Sequence, residues 1–160
     1  MVEVHDRRAV RAILLSPQQE VLLMQLRESP EAEGFWVTPG GGVQEGEAEE
    51  SALRRELQEE LGLAEFQLGP MLLRRDHTFN WQGRRVRQRE RLYLVETMRF
   101  EPRMSDVVEA RVTAGFRWWR LDELRATGES VTPRHLAAII EGWLRAGKTG
   151  DENEPDVRID

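Results

Sequence analysis

The sequence predicts one α/β domain in which a mixed β-sheet is held between helices. Three observations carry this. Short runs rich in Val, Ile and Leu lie before, around and after residues 47–61. That segment itself has helical periodicity, with Leu53, Leu57 and Leu61 at i, i+4 and i+8. A second helical stripe, Leu136, Ile139, Ile140, Trp143 and Leu144, follows the last strand-like run. Strands arranged around one helix and closed by another place the sheet between helical layers.

Composition narrows the classes. The chain has 160 residues, 39% hydrophobic and 32% charged, enough for a core and incompatible with disorder throughout. No apolar run approaches the roughly 20 residues of a membrane span, so no membrane partner is expected. MVEVHDRRAV is charged and lacks the apolar centre of a signal peptide. Cysteine is absent, which excludes disulfides and thiolate zinc sites. A cytoplasmic location is therefore expected. The net charge of −6 argues against a general nucleic-acid coat. Lys148 is the single lysine; arginine suits forked phosphate binding, although GC-rich codon usage gives the same bias.

Taken in order, Arg8–Leu15 and Glu20–Arg27 read as strands joined by the turn Ser16-Pro17-Gln18-Gln19, a hairpin. A polar loop, 28–34, leads to the extended Phe35-Trp36-Val37 and then to Pro39-Gly40-Gly41-Gly42, where the main chain turns or approaches something closely. A helix begins near Glu47, with Glu49 and Glu50 at its N-terminal end and Gly62 as a left-handed cap. Phe66–Arg75 reads as a strand interrupted at Gly69-Pro70, and Phe79–Gly83 as a hairpin loop carrying two aromatic residues. Arg84–Glu96 is the longest strand; Arg85, Arg87, Arg89 and Arg91 share one face, Val86, Gln88, Glu90 and Leu92 the other. Residues 98–113 form a loop, Gly115–Leu121 the last strand, and Asp122–Ala126 a helical turn. Thr132-Pro133 has the signature of a helix start, and Gly147 ends that helix. The domain is assigned to residues 1–147, and 148–160 to an acidic, disordered tail.

The central helix breaks a rule. Glu59 and Glu60 fall in its last turn, where an anion costs about 0.3–1 kcal/mol. Glu56, Glu59 and Glu60 stand at i, i+3 and i+4, so three carboxylates crowd one face. A hard divalent cation with oxygen ligands relieves such a face, and a carbonyl at Gly40 or Gly41 completes its shell. A metal held there serves phosphate chemistry by neutralising oxygens and acidifying water. The competing explanation is a solvated acidic face paired with Arg54 and Arg55, but Arg before Glu is the weaker orientation.

The stretch Gly41–Leu63 resembles the signature of the Nudix hydrolase family, G-x5-E-x7-R-E-U-x-E-E-x-G-U, with U a bulky aliphatic residue. Gly41, Glu47, Arg55, Glu56, Leu57, Glu59, Glu60, Gly62 and Leu63 match at every position. WVTPGGG, the first hairpin and FRWWRLDEL extend the resemblance over roughly residues 7–146. It implies an α/β/α sandwich with a mixed central sheet. It also implies Mg²⁺- or Mn²⁺-dependent cleavage of a nucleoside diphosphate linked to another moiety. Carried over by position, Glu56, Glu59, Glu60 and Gly40 or Gly41 would bind metal, with one glutamate helping to activate water. Arg55 would orient the glutamates and Glu47 would brace the corner. A later glutamate often acts as ligand or base; Glu109 is the candidate here and Asp106 the second.

For the substrate, Arg27, Arg87 and Arg89 are the candidate phosphate holders, against the plain alternative of a charged sheet edge. Trp81 and Phe79 are candidates for stacking a base. Trp118, Trp119 and Trp143 are assigned to the core, and His5, His77 and His135 receive no chemistry. Proline and tyrosine markers of ADP-ribose and dinucleoside-polyphosphate hydrolases are absent at their usual places, and so is a coenzyme-A motif. A small nucleotide substrate is the default. An RNA 5′-end pyrophosphohydrolase is the alternative drawn from the Arg-rich strand, and net charge opposes it. A non-catalytic ligand sensor is the alternative of another class; such domains tend to lose box glutamates. An isomerase on this fold needs a cysteine. Homodimers are common among similar proteins, and no patch demands one.

Overall fold

A computed structural model describes residues 3–104 and 113–146. Its eight strands are β1 (Val4–Leu15), β2 (Glu20–Leu26), β3 (Phe35–Val37), β4 (Gly40–Gly42), β5 (Met71–Trp81), β6 (Arg84–Glu96), β7 (Thr113–Arg120) and β8 (Val131–Thr132). The helices are α1 (Glu49–Leu61), α2 (Leu121–Ala126) and α3 (Leu136–Arg145). All strands join one mixed sheet, running β5-β6-β1-β2-β3-β8, with β4 also on β1 and β7 also on β2. β1 and β6 are parallel, and β5 and β6 antiparallel.

Alternation along β1 serves both faces. Val10, Ala12 and Leu14 pack with Ala52, Leu53, Leu57 and Leu61 of α1. Ile13 and Leu15 pack with Leu124, Leu136 and Ile140 of α2 and α3 on the other side. The result is the expected α/β/α sandwich. Each fully buried leucine contributes about 1.5–3 kcal/mol, so the stripe of α1 outweighs the repulsion of its terminal acids. Gly62 closes α1 in the left-handed region (φ 71°), its N–H donating to Gln58 O at 3.0 Å while Leu63 N–H reaches Leu57 O at 3.2 Å.

Several boundaries differ from expectation. β1 starts at Val4 because β6 offers it a parallel partner along its whole length. β5 does not occupy 66–75 but runs to Trp81, and the hairpin turn is only Gln82-Gly83, both with positive φ. Phe79 and Trp81 are thus strand residues. α1 begins two residues after Glu47. Thr132 pairs with Val37 as part of β8 instead of capping a helix, and α3 starts at Leu136. Leu121 opens α2 rather than ending β7. Gly147 and the acidic 148–160 segment lie outside the described residues.

The fork in the sheet creates the cleft. β1 and β2 pair at Leu15 and Val21 near their turn and then diverge. The chain from Phe35 to Gly42 wedges between them, β3 on β2 and β4 on β1. Ala12 N–H donates to Pro39 O at 2.8 Å at the vertex. Beside the wedge opens a cavity of about 1430 Å³ lined by β1, β3, β5, β6 and the 124–134 segment.

Candidate active site

α1 presents Glu56 and Glu60, one turn apart, to the glycine strand β4. Both are buried. Gly40 N–H donates to Glu60 Oε2 at 3.0 Å. A Cβ at Gly41 would lie 2.4 Å from the Glu56 carboxyl carbon and 2.6 Å from each oxygen, so only glycine admits the carboxylate there. Arg55 ties this corner together. Its Nε and Nη2 donate to the two Glu47 oxygens at 3.0 and 2.9 Å. Its Nη2 also reaches Gly42 O at 3.0 Å, and its Nη1 reaches Glu56 Oε1 at 2.9 Å. Glu59 is 39% exposed, with its Oε2 3.8 Å from Arg55.

Burial pushes the Glu56 carboxyl above its ordinary range, opposed by Arg55 and, more weakly, by Arg7. Glu47 moves the other way. The Arg55 bond and the Gln44 N–H lower it from 4.5 to about 2. A depressed carboxyl stabilises the fold fully above 4.5 and loses that contribution as pH falls through about 2. Glu47→Gln should therefore unfold at lower denaturant than the wild type at pH 7, and the gap should shrink steadily below pH 4.5. A gap independent of pH would contradict this link.

The structure does not bring the predicted phosphate holders into the cleft. Arg87 and Arg89 stand on the face of β6 opposite Gln88 and Glu90, which line the cavity. Arg87 forks onto Asp76 at 2.8 and 3.2 Å. Arg91 and Tyr93 of that same face reach Glu49 of α1, so the arginine face belongs to the α1 side. Arg27 lies beyond the end of β2 and does not line the cleft. Phe79 and Trp81 do line it. Phe35 meets Trp81 edge-on at 6.0 Å, and Phe79 lies 5.0 Å from His77. Glu109 and Asp106 fall outside the described residues.

A family model described as the NUDIX domain matches residues 5–139, most of the chain. The chain belongs to the Nudix family. The chain is similar to a putative 8-oxo-dGTP diphosphatase of Mycobacterium tuberculosis, with 56% identity over 43 residues, 27% of this chain and 30% of that protein. It also resembles a human 8-oxo-dGDP phosphatase, 46% identical over 54 residues, 34% of this chain and 16% of the relative. These matches thus span less than a third of the relatives' lengths. A crystal structure of a MutT Nudix hydrolase from Burkholderia pseudomallei superposes with a TM-score of 0.64 at 27% identity, over 83% of this chain and 95% of that one.

The floor of this Nudix cleft holds a buried ionic cluster that the sequence did not disclose. Glu90, 2% exposed, accepts from Arg11 Nε at 2.9 Å and from Gln88 Nε2 at 2.6 Å. Its other oxygen lies 3.1 Å from Nη1 of Arg75, which is 3% exposed. Burial pushes Glu90 upward, but Arg11 and Arg75 outweigh it and hold the carboxyl below its ordinary range. Arg75 Nη2 donates to His77 Nδ1 at 2.9 Å. A guanidinium only donates, so Nδ1 is the acceptor and a neutral His77 carries its proton on Nε2. Burial and Arg75 lower the His77 pKa, which favours this neutral form. Arg7 and Arg11 also line the cleft. Their i, i+4 spacing on a strand was the available signal, but a strand begun at Arg8 leaves Arg7 out.

The α1 corner suits a hard cation. Glu56 Oε2 is buried without a hydrogen-bond partner, and Glu60 flanks it across Gly40-Gly41. An orphaned carboxylate oxygen is costly unless something else satisfies it. Among the described residues no three acidic or imidazole groups converge into a closed cage. An open platform suits Mg²⁺, which keeps several waters and takes one or two protein carboxylates.

Proposed function

We propose that this domain is a Mg²⁺-dependent pyrophosphohydrolase of small nucleotides, cleaving a nucleoside diphosphate linked to another moiety. The observation that carries the reading is the buried, partnerless Glu56 oxygen one helical turn from Glu60, which with Gly40 and Gly41 lines a cleft that also holds Phe79 and Trp81. Glu56 and Glu60, with a main-chain carbonyl at Gly40 or Gly41, would hold Mg²⁺ or Mn²⁺; Glu59, the third glutamate of the signature, stands more exposed beside Arg55 and would join them only on metal binding. Such an ion supplies charge neutralisation at phosphate oxygens and a more acidic attacking water.

The chain's own residues do the rest. Arg55 fixes the Glu56 carboxylate and ties α1 to the preceding loop through Glu47 and Gly42. Glu109 is the proposed general base. Phe79 and Trp81 offer ring faces to a base, three strands across the sheet from β4 and displaced along the strands, since Phe79 aligns through Val86 with His5 whereas Gly42 aligns with Ala9. The relatives' names put 8-oxo-dGTP and 8-oxo-dGDP first among the nucleotides to try. The RNA 5′-end alternative drew on the Arg-rich strand, and Arg87 and Arg89 face away from the cleft.

The test is a panel of nucleoside di- and triphosphates, dinucleotides and ADP-ribose with Mg²⁺, separating phosphate, pyrophosphate and nucleotide products. At least one is expected to be cleaved at an anhydride bond, with turnover abolished by chelator. Mg²⁺ at 100 times its Kd should stabilise the fold by about 2.7 kcal/mol. Nucleotide binding without turnover would mark a sensor instead, and turnover undiminished by chelator would overturn the metal's role.

A further inference from the structure

Three strands lay a row of polar side chains across the cleft floor. Arg7 of β1 stands opposite Gln88 of β6, and Gln88 opposite His77 of β5. Arg7 ends this row beside the glycine strand. A Cβ at Gly42 would lie 3.1 Å from Arg7 Nε and 3.2 Å from Nη2, so the guanidinium rests over the bare backbone there. Arg7 is exposed, and its Nη1 donates to Gln88 Oε1 over a long 3.3 Å. The other two arginines of the floor, Arg11 and Arg75, share the buried Glu90. One strand spacing, about 4.8 Å, separates β1 from β4. A phosphate chain held beside Gly40-Gly41 is therefore within a side chain's reach of Arg7.

We propose that Arg7 is the phosphate-holding residue of this cleft, gripping the phosphate chain from the Gly42 side while the α1 carboxylates hold it from the other. The assignment rests on the pyrophosphohydrolase reading above. It also orients the substrate: phosphates lie over β1 and β4, and the nucleoside lies toward the aromatic residues of β5. A guanidinium fork matches paired phosphate oxygens, whereas an ammonium is a point charge. Gln88 helps to keep the fork over the floor.

The test compares Arg7→Ala, Arg7→Lys and Arg89→Ala with the wild type on the best nucleotide of the panel. Inorganic pyrophosphate serves as a competitive probe. Arg7→Ala should raise KM about 10–100-fold, the effect of losing a charged hydrogen bond, with kcat within about threefold. The inhibition constant for pyrophosphate should weaken by a similar factor, with the melting temperature unchanged. Arg7→Lys should recover part of both losses, and Arg89→Ala should behave as wild type. A wild-type enzyme that turns over while Arg7→Ala keeps its KM and pyrophosphate affinity overturns the assignment alone. A wild type that cleaves nothing on the panel overturns the pyrophosphohydrolase reading and the assignment with it.

Discussion

Glu60→Gln is expected to lower turnover by at least about 100-fold while leaving the fold intact. Glu60 accepts the Gly40 N–H through one carboxylate oxygen, and the amide of glutamine retains an oxygen for that bond. The shape of the β4–α1 corner is therefore preserved. What disappears is a negative charge, in a buried position where it would act on a cation with little screening. A 100-fold loss corresponds to about 2.7 kcal/mol of transition-state stabilisation. Removing the buried charge relieves its desolvation penalty but also weakens its attraction to Arg11, two opposing effects, so without Mg²⁺ the variant should melt close to the wild type. The Mg²⁺-induced rise in melting temperature should shrink in parallel with turnover. Full activity, or an undiminished Mg²⁺ shift, would remove Glu60 from the metal site.

How much of this was legible follows from how far apart the partners lie in sequence. The carboxylates of α1 could be grouped because one helix carries them, and helical spacing alone puts them on one face. Gly62 was legible for the same local reason. The Glu90 cluster was not. Arg11, Arg75 and Glu90 meet because β1, β6 and β5 pair in one register, and only long-range pairing sets that register. Alternation along Arg84–Glu96 sorted its residues onto two faces correctly. Choosing the cleft face by its arginines then failed. The arginine face meets Glu49 at the start of α1 and Asp76 of β5, whereas the cleft face carries Gln88 and a buried acid. Charge at a strand position reports neither exposure nor function until its neighbours are known.

The errors at element ends share a cause. Thr132-Pro133 looks like a helix start, and the local preference is sound, yet pairing of β8 with β3 claims Thr132 first. The segment Phe79–Gly83 looks like a loop because it holds Asn, Gln and Gly. Only Gln82 and Gly83 adopt the positive φ a tight hairpin needs, and this frees Phe79 and Trp81 to pair and to face the cleft. In both places a tertiary partner overrides a local signal of about 1 kcal/mol.

Glu90→Gln is expected to cost about 3–5 kcal/mol of stability, the usual consequence of breaking a buried ion pair from one side. Glu90 is the carboxylate between Arg11 and Arg75. Glutamine can accept from one of them, but it brings an amide N–H₂ into a site already supplied with donors from Arg11, Arg75 and Gln88. Two guanidiniums would then share a buried space without the charge that balances them. Against a total of about 5–15 kcal/mol, this loss should lower the melting temperature by about 6–20 °C for a domain of this size. Glu90 is held below its ordinary 4.5, so its contribution is present above that pH and fades as pH falls; the gap to the variant should close in acid. A double variant separates charge from packing. Adding Arg75→Met removes one stranded cation and should restore part of the loss, a coupling of at least about 1 kcal/mol. Strictly additive losses would mean that Glu90 acts through packing alone. Arg11 also donates to Thr38 O at 2.8 Å, next to the glycine strand. Loosening the cluster should therefore be felt at Gly40 and Glu60 as well, and Glu90→Gln should weaken Mg²⁺ stabilisation more than its own loss of stability explains.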